Sequence, residues 1–272
     1  MSRYAFPPGG LPDQRKNPAA AGAVFTTSFA FIPADTMRDI TTSQLPHWTQ
    51  TRAWILARPL TGFAETFSQY AVEVAPRGGS QSPDTNPLAQ SVVFVASGEM
   101  TLSLDGVTHV LEAGGYAYIP AGHIWTVRNK GSDVLQFHWL RKRYQPVAGI
   151  AAPAPFVTSD QTTAPNPMSN TDLWATTRFV EPDDLRHDMH VNIVTFQPGG
   201  RIPFAETHVM EHGLYVLEGT ARYLLNDQWV GVGPGDFMWL RAFCPQACIA
   251  TGDGPFRYLL YKDVNRHAEL AL

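Results

Sequence analysis

A pattern that recurs after 121 residues constrains this chain most strongly, because it divides the sequence into two similar halves. Six positions of the first half have counterparts of the same or a related type in the second: Gly79 and Gly200, Gly98 and Gly219, Asp105 and Asn226, Gly114 and Gly235, Gly131 and Gly252, Phe137 and Tyr258. Repeated glycines mark repeated turns, since glycine adopts backbone conformations that other residues avoid. The 272 residues can bury two ordinary cores, and we therefore predict two domains of one architecture.

The boundaries of these domains follow from local composition. Residues 147–172 are rich in proline, alanine and threonine and show no hydrophobic periodicity, which is typical of a linker. The sequence therefore predicts a first domain over residues 46–146, a second domain over residues 173–272, and an N-terminal extension over residues 1–45.

Each half also contains the pattern of a β-hairpin. Residues 101–111 alternate in polarity around Asp105-Gly106, a preferred pair for a two-residue turn, and residues 221–230 do so around Asn226-Asp227. Almost no segment has the helical period of 3.6 residues. The predicted fold class is therefore all-β, with two small antiparallel barrels or sandwiches in tandem.

The composition excludes several classes of protein. Charged residues make up 16% of the chain and the net charge is −4, so a small polar ligand is expected and nucleic acid is not. No apolar run reaches the roughly 18 residues of a membrane span, and the apolar stretch 19–32 lacks a strongly basic leader. We expect a soluble, cytoplasmic protein without a membrane partner, with Cys244 and Cys248 as buried free thiols.

Three potential metal ligands lie close together in the second half. Glu206 and His208 share one strand face because side chains alternate, and His212 returns to that face if the strand is continuous or only locally bent. One histidine on a strand is more commonly structural, but a carboxylate and two imidazoles on one face predict a metal site. Glu211 and Glu218 fall outside this spacing and are expected to face solvent or form salt bridges.

This spacing resembles that of the cupin family, whose first motif is G-x5-H-x-H-x3-4-E-x6-G and whose second is G-x5-P-x-G-x2-H-x3-N. The first match begins at Gly200 and the second at Gly235. The resemblance implies two jelly-roll β-barrels in one chain, a bicupin. It also implies that the second barrel has four metal ligands, which are Glu206, His208, His212 and Gln246.

The second half departs from the second cupin motif before its last ligand position. The proline and glycine of that motif occur only in the first half, as Pro120 and Gly122, whereas Arg241 and Phe243 occupy these positions in the second. The assignment of Gln246 therefore rests on spacing. One carboxylate, two imidazoles and one amide oxygen suit Mn²⁺ or Fe²⁺ better than Zn²⁺, and we expect one Mn²⁺ per chain in the C-terminal barrel.

The first half lacks the same ligands. Subtracting 121 from the four ligand positions gives Thr85, Pro87, Ser91 and Trp125, none of which supplies an imidazole or a carboxylate. We expect this barrel to be metal-free and to serve packing and assembly. His123, two residues before an expected ligand position, is the one alternative for a displaced site.

Three segments, residues 208–219, 235–248 and 256–266, closely resemble the (S)-ureidoglycine aminohydrolase family, bicupins of allantoin degradation. Enzymes of that family hydrolyse (S)-ureidoglycine to (S)-ureidoglycolate and ammonia, with Mn²⁺ in the C-terminal barrel only. The resemblance implies the same purine-catabolic reaction here. It also implies that the substrate is bound by Glu206, Tyr223, Gln246, Tyr258 and Lys262.

The position of Lys262 suggests a catalytic role. Tyr258 and Lys262 share one face of the last predicted strand, and Tyr223 lies on the hairpin strand after Gly219. A lysine inside a barrel is costly unless it has a function. We therefore expect Lys262 to transfer protons during catalysis, and Tyr223 and Tyr258 to orient the carboxylate or ureido group of the substrate.

Two other classes of function remain open from the sequence. A cupin dioxygenase would use the same barrel with Fe²⁺ and O₂, and a non-enzymatic bicupin would bind a sugar or serve as a storage protein. Ureidoglycolate and allantoate are alternative small-molecule substrates. Tandem barrels with exposed antiparallel edges also lead us to expect a homo-oligomer.

Overall fold

The fold is built from β-strands and turns throughout the part of the chain that can be described. The computed structural model describes residues 22–34, 36, 45–168, 170–264 and 266. None of these residues belongs to a helix long and apolar enough to cross a membrane. The predicted all-β fold class is confirmed, whereas most of the predicted N-terminal extension, together with residues 267–272, lies outside the described residues.

The strands fall into two similar groups, preceded by a short hairpin. The hairpin consists of β1 (Val24–Phe25) and β2 (Phe29–Ile32). The first group comprises β3 (Trp48–Ala57), β4 (Phe67–Ser80), β5 (Ala89–Ser97), β6 (Met100–Leu104), β7 (Val107–Leu111), β8 (Gly115–Ile119), β9 (Trp125–Arg128), β10 (Leu135–Arg143) and β11 (Phe156–Ser159). The second comprises β12 (Pro165–Pro167), β13 (Trp174–Thr177), β14 (Met189–Phe196), β15 (His212–Glu218), β16 (Ala221–Leu225), β17 (Gln228–Val232), β18 (Phe237–Leu240), β19 (Gln246–Ala250) and β20 (Phe256–Asp263).

These strands form one sheet in the first domain and two in the second. The first sheet has the order β11-β8-β5-β10-β4-β9-β6-β7, with β3 paired to β4. In the second domain, β1-β2-β18-β15-β20-β14-β13-β12 forms the larger sheet and β17-β16-β19 the smaller one. The long β4 pairs with β10 over most of its length and with β9 at its end. This change of partner lets the first sheet curve around its own core.

The backbone confirms that the two halves repeat one pattern. Both predicted hairpins form, and their turns begin at Asp105 with φ 51° and at Asn226 with φ 59°. Gly98 and Gly219 also have matching values of φ, 78° and 73°. A Cβ atom on Gly219 would lie 2.1 Å from the carbonyl oxygen of Pro255, so both the conformation and the close approach require glycine there.

The segment between the domains contains two strands, although the sequence analysis assigns residues 147–172 to a linker. Phe156–Ser159 pairs with β8 of the first domain, and Pro165–Pro167 pairs with β13 of the second. Both strands lie at a sheet edge, where a proline without an N–H group can be tolerated. The segment therefore extends both sheets in addition to connecting them.

Three hydrophobic clusters hold the molecule together. One fills each barrel, and the third lies between the barrels, where Phe67 of β4 stacks on Tyr261 of β20 with 3.8 Å between ring centroids. Strand β2 contributes to two of them, because Phe29 faces the interior of the second barrel and Ala30 faces the interface. The N-terminal hairpin is therefore part of the second barrel and of the contact between barrels.

Candidate metal centre

The four ligand candidates come from three places that the fold brings together. Glu206 and Gln246 form an isolated antiparallel bridge, in which each backbone N–H donates to the other residue's carbonyl oxygen at 2.9 Å. His212 is the first residue of β15, and a bend at residues 209–210 separates it from the bridge. The strand is therefore interrupted, but all four side chains still line one cavity.

His208 lies on the loop between the bridge and β15. Its carbonyl oxygen accepts a hydrogen bond from the backbone N–H of Phe243 at 2.6 Å. Phe243 has a φ of 64°, in the left-handed region that Gly122 also occupies at the equivalent position of the first barrel. The turn of the second cupin motif thus persists without its glycine, and it supports the His208 loop.

The donor atoms are close enough to act together. Nε2 of His208 lies 3.2 Å from Oε1 of Glu206, and the rings of His208 and His212 are 5.1 Å apart between centroids. Two atoms that bind one ion at about 2.1 Å and at a right angle lie about 3 Å apart. The described residues hold no closed cluster of three or more His, Cys, Asp or Glu side chains; the fourth candidate here is the amide of Gln246.

Those surroundings favour the metal-binding form of His212. Burial lowers the pKa of His212 to about 3, and the charges of His208 and Lys262 contribute in the same direction. The imidazole is therefore neutral near pH 7, which is the form that coordinates a metal. A carboxylate, two imidazoles and an amide oxygen fit an ion of the Mn²⁺ or Fe²⁺ type.

Tyr223 supports the fourth ligand candidate. Its hydroxyl group donates a hydrogen bond to Oε1 of Gln246 at 2.9 Å, and the whole side chain is buried. An amide oxygen has a second lone pair, so this contact leaves Gln246 able to bind a metal. Tyr223 also packs edge-on against Tyr258, with 6.0 Å between ring centroids.

The cavity is small and has a mixed lining. Its volume of about 150 Å³ corresponds to about five water molecules at ~30 Å³ each, which suits a small metabolite. All the predicted site residues line it, including Tyr258 and Lys262. The residues that complete the lining are Met168, Trp174, Thr176, Arg178, Asn192, Val194, Leu214 and Leu260.

Lys262 lies where a proton could be exchanged with a bound ligand. In the sheet it pairs with His212 on one side and with His190 on the other. Burial lowers its pKa, and the positive charge of Arg178 lowers it further. A lysine with a lowered pKa exchanges a proton near neutral pH more readily than an exposed one.

The equivalent positions of the first barrel have other contacts. The hydroxyl of Ser91 accepts a hydrogen bond from Nε1 of Trp139 at 3.0 Å, and Trp125 packs edge-on against the same indole. His123 is partly exposed and its Nδ1 lies 2.5 Å from Oδ2 of Asp105. His123 therefore contacts Asp105 at the surface, and among the described residues it belongs to no group of three or more potential metal ligands.

Glu211 neither faces solvent nor forms a salt bridge with any described residue, in contrast to the expectation from its position in the sequence. Its side chain is 6% exposed and accepts hydrogen bonds from four donors. Three belong to the first domain, the backbone N–H of Glu65 at 2.9 Å, the backbone N–H of Thr66 at 2.6 Å and the hydroxyl of Thr66. The fourth is Nε1 of Trp239 at 2.9 Å.

Glu211 therefore fixes the residue before His212 against the first barrel. Its own backbone N–H donates to Oδ1 of Asp263 at 2.7 Å, next to Lys262. Glu218, by contrast, follows the expectation, since it lies at the surface 3.5 Å from the guanidinium of Arg257. The sequence analysis also did not identify Arg178, Asn192 and Trp174 as cavity residues. The available indication for Asn192 was the alternation of His190 and Asn192 with Met189, Val191 and Ile193 in β14.

Comparison with known proteins identifies the family. The cupin domain model matches residues 70–141 and 192–261. The chain is 32% identical over 229 residues to the (S)-ureidoglycine aminohydrolase of Escherichia coli (strain K12), covering 83% of this chain and 85% of the relative. The chain belongs to the (S)-ureidoglycine aminohydrolase family of bicupins.

One further relative carries the same name, and a solved structure shares the fold over the whole chain. The (S)-ureidoglycine aminohydrolase of Arabidopsis thaliana is 31% identical over 227 residues, covering 83% of this chain and 73% of the relative. A crystal structure from Pseudomonas aeruginosa, described as a glyoxylate-induced protein, is 58% identical, with a TM-score of 0.89 and complete coverage of both chains.

The first prediction concerns Glu211. Glu211→Gln should lower the free energy of unfolding by about 2–4 kcal/mol, because the new amide NH₂ group would face N–H and O–H donors in a buried site. Denaturant unfolding of the full chain measures this change. Glu218→Gln is the matched control and should stay within about 0.5 kcal/mol of the parent protein. Equal effects of the two substitutions would show that the hydrogen bonds of Glu211 to the first barrel do not stabilise the fold.

The second prediction concerns Tyr223. Tyr223→Phe removes the donor that orients Gln246 and should weaken Mn²⁺ binding by about tenfold or more. Competition with a chelator of known affinity measures the change. Tyr116→Phe alters an equally buried tyrosine between the barrels and should leave Mn²⁺ affinity unchanged; an unchanged affinity in Tyr223→Phe would remove Tyr223 from the ligand support.

Proposed function

We propose that this protein catalyses the Mn²⁺-dependent hydrolysis of (S)-ureidoglycine to (S)-ureidoglycolate and ammonia. The observation that carries the proposal is one small cavity lined by Glu206, His208, His212, Gln246 and Lys262, in a member of this family. The names of the relatives support this choice of substrate. The donor set supports the metal.

Glu206, His208, His212 and Gln246 would hold the ion. When bound, Mn²⁺ would supply Lewis-acid polarisation of the substrate and a fixed point that favours one enantiomer. One carboxylate among the four ligand candidates would leave part of the ion's charge uncompensated, which favours an anionic substrate. Because the ligands surround a cavity of about 150 Å³, only a compact substrate could reach them.

The reaction replaces one bond at the chiral carbon of the substrate. The C–N bond to the amine breaks, the C–O bond to water forms, and a proton must reach the leaving amine, either during direct displacement or with a transient imine. Lys262 is the group in the cavity that we assign to this transfer, since its lowered pKa places its proton exchange closer to neutrality. Tyr258 borders the same space and would orient the ureido or carboxylate group.

The reaction can be tested by measuring ammonia release and oxygen uptake in the same assay. The substrate is ureidoglycine made in situ from allantoate. We expect ammonia release from the Mn²⁺-loaded protein with no oxygen consumption. Oxygen uptake coupled to turnover would instead indicate a cupin dioxygenase. Absence of turnover with both Mn²⁺ and Fe²⁺ would favour a binding or storage role and overturn the proposal.

The role of Lys262 is tested separately. Lys262→Met should lower kcat by about 10²-fold to 10⁴-fold while bound Mn²⁺ stays near one per chain, because Lys262 is outside the proposed ligand set. His208→Ala should lose both turnover and metal. Normal turnover in Lys262→Met, measured as ammonia release beside metal content, would remove Lys262 from the mechanism.

A further inference from the structure

Strands β13 and β14 form one wall of the cavity. This wall carries polar groups that belong neither to the four ligand candidates nor to Lys262. Trp174 and Asn192 lie on these two strands, and Arg178 directly follows β13. Continuing the register in which Thr177 pairs with Ile193 places Arg178 opposite Asn192. Arg178, Asn192 and Trp174 all line the cavity with the ligand candidates.

Arg178 is a half-buried cation without an anionic partner among the described residues. The arginine ion pairs found there belong to other residues: Arg52, Arg141, Arg186 and Arg257. Arg178 also lies close enough to Lys262 for its charge to lower the lysine's pKa. Two cations beside one small cavity form a favourable place for an anion, and a guanidinium matches a carboxylate with two parallel hydrogen bonds.

Two uncharged groups on the same wall have unused hydrogen-bonding capacity. Asn192 is 2% exposed, and its Oδ1 atom is buried without a hydrogen-bond partner in the described structure. The indole Nε1 of Trp174 is also buried without a hydrogen-bond partner there. Oδ1 of Asn192 is an acceptor, and Nε1 of Trp174 is a donor. Buried polar atoms without partners are uncommon in folded proteins, and in a cavity they indicate where a ligand's polar atoms would lie.

We propose that Arg178 binds the carboxylate of the substrate and that Asn192, with Trp174, recognises its ureido group. This inference rests on the proposed function and specifies how the same cavity selects its substrate. A ureido group offers N–H donors to Oδ1 of Asn192 and a carbonyl oxygen to Nε1 of Trp174. Binding at these points holds the substrate by the two substituents that do not react. The amine-bearing carbon is left to the metal and Lys262.

Three small probes separate these contacts without any turnover. Ureidoacetate has the carboxylate and the ureido group but lacks the reacting amine, its amide ureidoacetamide lacks the negative charge, and N-acetylglycine replaces the terminal NH₂ with a methyl group. Calorimetry on the full-length Mn²⁺-loaded protein measures the affinity for each. The parent protein should bind ureidoacetate about tenfold or more tightly than either analogue.

Substitutions then assign each preference to one residue. Arg178→Met should abolish the preference for ureidoacetate over ureidoacetamide, and Arg178→Lys, which keeps the charge but loses the paired hydrogen bonds, should retain part of it. Asn192→Leu should abolish the preference over N-acetylglycine. Arg222→Met is the matched control, because Arg222 lies on the outside of the same barrel over Trp229, and it should change neither preference. Metal content should stay near one per chain in all four variants.

The outcomes separate this inference from the proposed function. If the parent protein fails to bind ureidoacetate, or if Arg178→Met and Arg178→Lys keep the full preference for the carboxylate, the assignment of Arg178 is wrong even when ammonia is released. An unchanged preference in Asn192→Leu would overturn the ureido contact in the same way. If both preferences depend on these residues but ureidoglycine yields no ammonia, the binding site stands and the proposed reaction fails.

Discussion

The buried carboxylate of Glu211 is the interaction on which the arrangement of the site depends most. Burying a charge costs free energy unless several donors compensate for it, and Glu65 and Thr66 of the first barrel supply three of the four donors here. Because Glu211 precedes His212, the contact between the barrels also fixes where β15 begins. The first barrel, whose equivalent positions lack the ligand set, thus contributes to the candidate metal centre through this contact.

The two halves show how one barrel pattern can be kept while its site changes. The turns persist because their backbone geometry is required, as the similar φ angles of Asp105 and Asn226 show. The residues at the ligand positions are free to differ, and Ser91 and Trp125 of the first barrel instead contact Trp139. The N-terminal hairpin belongs to the second barrel. Directly after it, the backbone N–H of Ala34 donates a hydrogen bond to Oδ1 of Asp236 at 2.7 Å.

The sequence was sufficient to predict features set by local spacing. The two hairpins and the all-β class follow from alternation and from the 121-residue interval, and alternation also groups Glu206, His208 and His212. Gln246 and the substrate-binding residues came from the family resemblance, and the structure places all of them around one cavity. Features that depend on distant pairing were not predictable. Three of the four donors to Glu211 come from residues about 145 positions away, and two of these donors are backbone N–H groups, which no residue type reveals. Arg178 reaches the cavity only through the pairing of β13 with β14.

The proposed reaction depends on one metal ion held in the second barrel. A titration of Mn²⁺ into chelator-treated protein, with ammonia release from ureidoglycine measured at each addition, tests this dependence. We expect no activity before addition, a linear rise, and saturation at one Mn²⁺ per chain. Full activity in the metal-depleted protein, or a rise that continues to two ions per chain, would show that the reaction does not depend on a single bound ion.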